Sequence, residues 1–123
     1  MVIILGFINA LLLTLLLSPF LLRKINKLIF QNKNKALKKS AALLSKMHMY
    51  FAYILLATAL THGYMALGTI RLHSGYLLWL LVLVQVIWGN LFKKMKKPYM
   101  LKVHRAIGLS SVLLLIFHLL QVN

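Results

Sequence analysis

The sequence predicts an all-α fold, an integral membrane four-helix bundle with its N-terminus and C-terminus outside. Of the 123 residues, 62% are apolar, and they gather in four runs of the roughly 20 residues needed to cross about 30 Å of hydrocarbon. The 15 Lys and Arg residues punctuate those runs, eight from Arg23 to Lys46, six from Lys93 to Arg105, and Arg71 alone in the middle link. Asp and Glu are absent, so nothing in the chain offsets the asymmetry. Cytoplasmic loops collect Lys and Arg, which puts both basic segments inside and the termini and the Arg71 link outside.

The first span runs from about Val2 to Leu22. Its charges follow the apolar run, unlike those of a secretory signal, and it is expected to be retained. Residues 23–46 form a basic cytoplasmic segment that mixes Ile25, Leu28, Ile29, Leu37, Leu43 and Leu44 with lysines. Parts of it suit a helix lying in the headgroup interface, with Asn32 and Asn34 marking a break. The second span covers Met47 to Leu67. The short link "GTIRLHSG" joins it to the third span, Gly75 to Phe92, as an antiparallel neighbour. Lys93 to Lys97 precede Pro98, which suits the start of the fourth span, Tyr99 to Leu120. No water-soluble domain remains, so residues 1–123 read as one four-helix transmembrane domain. Tyr50, Tyr53, Tyr64, Tyr76 and Trp88 fall near span ends, as an aromatic belt does.

Cysteine is absent, which excludes disulfides, thiolate ligands and iron–sulfur clusters held by this chain. The charge itself is explained by topology and attraction to anionic membrane lipid. Nucleic-acid binding is disfavoured because the basic residues flank spans and no recognition motif accompanies them.

Four of the five histidines form two pairs, His48 with His62 and His104 with His118, each fourteen residues apart. Fourteen steps of about 100° and about 1.5 Å return a helix to nearly the same face and climb about 21 Å. The second and fourth spans run in the same direction, so His48 faces His104 at the inner level and His62 faces His118 at the outer level. Two imidazoles at one depth on facing helices suit the axial positions of a haem iron. The arithmetic predicts two such sites stacked across one bilayer, and the cofactors expected are two haem b groups. A zinc site is disfavoured, since no cysteine or carboxylate completes a tetrahedral shell. For any one of these histidines, an interhelical hydrogen bond or a proton path is the competing account; the repeated interval favours the paired one.

Gly75 and Gly89 on the third span share that fourteen-residue interval. A glycine at each level lets a wide macrocycle approach the backbone; ordinary small-residue packing is the alternative. Bis-histidine ligation leaves the haem propionates as acceptors for Lys46, Lys102 and Arg105 inside and Arg71 outside. His73, beside Arg71, is expected at the external surface as a propionate, quinone or partner contact, or as an ordinary exposed histidine. Met47 and Met49 flank His48 but point away from its face, so they are read as packing.

The paired histidines His48/His62 and His104/His118, with Gly75 and Gly89 between them, resemble the di-haem four-helix core of the cytochrome b family. The stretch "HRAIG" at His104 to Gly108 is also similar to the membrane domains of ferric reductases and NADPH oxidases. The resemblance implies iron ligation by the four histidines. It does not extend to the family's quinol-oxidation segment, which has no counterpart here, and the first span lacks a clear glycine pair.

The function expected is transmembrane electron transfer, by a subunit or partner of a redox complex, in a bacterial cytoplasmic membrane. A stand-alone quinone-linked oxidoreductase that reduces an external acceptor or oxidises superoxide is the alternative within redox chemistry. A haem-free membrane scaffold with a basic cytoplasmic face is the alternative of another class.

Overall fold

The computed structural model describes residues 1–68 and 73–122. Among them are four helices, α1 (Val2–Ile29), α2 (Lys35–Leu67), α3 (Ser74–Met95) and α4 (Pro98–Val122). All four are long and apolar enough to cross a membrane. Their apolar side chains point largely outward: Phe7, Leu113 and Leu120 are 75%, 69% and 74% exposed. Helices solvated by lipid tolerate that arrangement, because burying apolar groups against one another gains little over contact with acyl chains.

Each helix packs antiparallel to the next. The α1–α2 pair is the most closely joined, α3–α4 and then α2–α3 follow, and α1 barely touches α4. Among the described residues no backbone contact joins α2 to α4. These two helices therefore stand across a diagonal of the bundle, and the space between them is flanked by α1 and α3.

Polar ties hold the neighbours in register. Thr58 donates to Asn9 Oδ1 at 2.6 Å, Trp79 Nε1 to the Leu56 carbonyl at 3.0 Å, and Trp88 Nε1 to the Met100 carbonyl at 2.8 Å. Such bonds contribute about 0.6 kcal/mol each in lipid, enough in combination to select one packing. Tyr53 accepts from Asn90 at 3.2 Å, so tyrosine and tryptophan residues expected only to mark span ends also tie helices together. The buried apolar core, Leu12, Leu13, Leu55 and Val82, occupies the middle of the bundle.

The basic segment differs from a helix laid on the membrane. Residues 23–29 extend α1 and residues 35–46 extend α2, and the break is confined to the stretch between Phe30 and Asn34. The reason is local. Gln31 and Asn32 adopt φ of 51° and 64°, a left-handed reversal that asparagine tolerates. Asn34 then caps α2 by accepting from Leu37 N–H at 3.2 Å, while its own N–H donates to Asn26 Oδ1 at 3.1 Å. Asn26 and Ala41 are 3% and 1% exposed, so the paired extensions bury residues between themselves. With 33 residues, α2 is about 50 Å long, some 20 Å more than the hydrocarbon requires.

Candidate cofactor sites

Two cavities open between the helices, one at each level where the sequence pairs histidines. The larger, 540 Å³, lies toward the basic end and is lined by His48 and His104 together with Gly89, Gly108 and Gln85. The smaller, 330 Å³, lies toward the end carrying the termini and is lined by His62 and His118 with Gly6 and Gly75. Both volumes fall within the range of small-molecule and cofactor sites, about 300–1,000 Å³. Leu13 and Val82 line both cavities and form part of the apolar partition between them.

At the basic end the imidazole rings of His48 and His104 have centroids 6.0 Å apart. Two imidazoles sharing one metal at about 2 Å per bond, with about 1.1 Å more from nitrogen to ring centre, have centroids about 6 Å apart. His104 Nδ1 is buried and lies against the α3 backbone at Gly89, which leaves Nε2 as the nitrogen available to a metal. The donor set is neutral nitrogen only, and it fits a metal that needs two axial ligands.

At the terminal end, His62 Nδ1 lies 3.0 Å from the Val2 carbonyl. A carbonyl can only accept, so Nδ1 carries the proton and Nε2 keeps its lone pair, the tautomer a metal-ligating histidine needs. Gly6 makes this approach possible: a Cβ there would stand 3.2 Å from His62 Cε1. His118 Nδ1 is 2.8 Å from the Ser74 hydroxyl. A Cβ at Gly75 would meet His118 Cε1 at 3.0 Å, and one at Gly89 would meet His104 Cε1 at 3.3 Å. The glycines thus make room for the imidazoles themselves. Gly63, with nothing within 4 Å of its notional Cβ, makes no room for a ring but lines the terminal-end cavity.

His73 lies at the rim. It caps α3, accepting from Gly75 N–H at 3.4 Å, and its ring meets His118 edge-on at a centroid distance of 5.9 Å. Because Nδ1 receives an N–H, Nε2 carries the proton when the ring is neutral. His73 therefore presents a donor to the terminal-end cavity that it lines. Asn9 Nδ2 is a buried donor without a partner, from a residue lining the same cavity.

Among the basic residues expected to meet propionates, Lys46 and Arg105 line the basic-end cavity, and Arg105 lies over the Phe20 ring at 5.1 Å. Lys102 is exposed and is not among the lining residues. Arg71 lies outside the described residues. Arg23, Lys93 and Ser45 also line this cavity, with Arg23 donating to Ser45 at 2.9 Å. Sequence reasoning missed them, although Lys93 stands one helical turn after Gly89 on the same face. It also missed Ser74, whose only sequence signal is its place beside Gly75.

Comparison with known protein families, curated proteins and solved structures gives no match for this chain.

Proposed function

We propose that this chain is a membrane cytochrome of the bacterial cytoplasmic membrane that carries single electrons between the two faces through two bis-histidine haem b groups. The observation that carries the reading is the pairing of imidazoles from α2 and α4 at two levels, each pair lining its own cavity. Haem b supplies a one-electron iron couple. His48 and His104 hold one group, and His62 and His118 the other. The Val2 carbonyl fixes the His62 tautomer, and Ser74 orients His118. Lys46, Arg105, Arg23 and Lys93 surround the basic-end cavity with donors for carboxylates. Leu13, Leu55 and Val82 keep water out of the gap between the levels.

The absence of acidic residues leaves the chain without a carboxylate proton relay and with a surface suited to an anionic partner, so it acts as a subunit or partner of a redox complex. The experiment is visible spectroscopy of membranes containing the protein. Reducible low-spin b-type bands support the reading; their absence leaves the haem-free scaffold.

The rim position of His73, whose Nε2–H is a donor, favours a second reading in which the chain alone transfers electrons to or from a quinone whose carbonyl it receives at the edge of the terminal-end cavity. Saturable oxidation of the reduced, purified chain by added quinone supports it.

A further inference from the structure

The extension of α1 and α2 beyond the level of the basic-end histidines forms a projecting hairpin that the electron-transfer reading leaves without a use. From His48 back to Lys35 is 13 residues of continuous helix, about 20 Å of rise, whereas α3 continues only six residues past Gly89, about 9 Å. The hairpin therefore stands taller than the neighbouring α3–α4 turn by about 10 Å. The Asn26–Asn34 bonds close its tip and Ala41 packs its interior. It is a built element.

Its surface has one sign. All eight of its basic residues, from Arg23 to Lys46, are exposed, and the chain contains no acid to neutralise any of them. The tip adds apolar anchors, with Leu28 and Ile29 each 69% exposed and Phe30 43%. Exposed apolar residues ringed by cations form the core and rim of a docking surface. Its base adjoins the basic-end cavity through Arg23 and Lys46.

We infer that the hairpin docks a water-soluble, acidic one-electron carrier protein, seating it over the basic-end haem site. The inference rests on the electron-transfer reading for the nature of the cargo and on the hairpin's own geometry for the docking. A second copy of this chain would be repelled. Anionic headgroups are a weaker fit for the tip: with the histidine levels about 21 Å apart across about 30 Å of hydrocarbon, the headgroup surface lies about 10–12 Å beyond the inner level, and the tip, about 20 Å beyond it, stands roughly one 8 Å screening length clear of that surface.

The test uses the full chain in nanodiscs of phosphatidylcholine, with flavodoxin as the acidic probe and cytochrome c as the basic one. Flavodoxin is expected to bind and cytochrome c not to. Substituting Lys27, Lys38 and Lys39 together by Gln is expected to weaken flavodoxin binding at least about tenfold, as removal of complementary charge does. Leu28→Ser with Ile29→Ser weakens it while leaving its salt dependence unchanged. No flavodoxin binding, or binding unaffected by the lysine substitutions, overturns the inference. Protection of the hairpin lysines from acetylation when phosphatidylglycerol is added to the discs without flavodoxin assigns the hairpin to lipid and also overturns it. Haem content, read on the same samples, reports separately on the electron-transfer reading.

Discussion

Ser74 shows how much one hydroxyl can govern at the residue scale. It is 7% exposed and its Oγ stands 2.8 Å from His118 Nδ1. With Nε2 on a metal, as proposed, Nδ1 carries the proton and Ser74 accepts it, which makes the imidazole a stronger donor and favours the oxidised metal. Ser74→Ala is therefore expected to raise the midpoint potential of the terminal-end haem and leave the other unchanged, with Ser74→Thr restoring the original value. Spectroelectrochemical titration of each variant checks this; equal potentials in wild type and Ser74→Ala would remove Ser74 from the account. The histidine intervals made His62 and His118 legible in the sequence, because helix periodicity alone sets the face and depth. Ser74, Arg23 and the Val2 carbonyl were not legible, because their roles depend on which atoms of other helices come near.

Glycine contrasts sharpen the same point. Gly75→Val is expected to push His118 aside, since even a Cβ there reaches 3.0 Å from the ring, and to lose the terminal-end haem alone. Gly63→Ala meets no ring but adds a methyl to the wall of the same cavity, and is expected to shift the band while keeping the haem. Absorbance per chain in the two variants tests the difference.

Among the elements, the α1–α2 hairpin departs furthest from what the sequence suggests. A mixture of lysines with leucine and isoleucine predicts a helix on the membrane surface, yet here it continues two spans. The ambiguity is physical: the same amphipathic pattern buries its apolar side against lipid or against a second helix. Asn32 and Asn34 did locate the break, because asparagine both tolerates a positive φ and caps the following helix. Asn34→Ala removes the cap to Leu37 N–H and is expected to lower stability by about 1 kcal/mol. Faster amide hydrogen exchange confined to the first turn of α2 is the corresponding signature.

Over the whole molecule, the spans were legible from hydropathy, and the depth matching of α2 with α4 from direction and interval. The diagonal placement of α2 and α4 was not. It depends on which helices adjoin, and at those junctions Gly6 of α1 leaves room for His62, and Gly75 and Gly89 of α3 leave room for His118 and His104. An apolar core of Leu12, Leu13, Leu55 and Val82 then separates the two histidine-lined cavities. That division predicts independent sites, each able to lose its cofactor without the other.

The haem-to-chain ratio of the purified protein tests that claim most directly, measured as pyridine haemochrome for the wild type, His48→Ala and His62→Ala. Two haems are expected in the wild type and one in each variant, with the surviving haem differing between them in potential. A wild-type chain that folds into membranes without haem would contradict it.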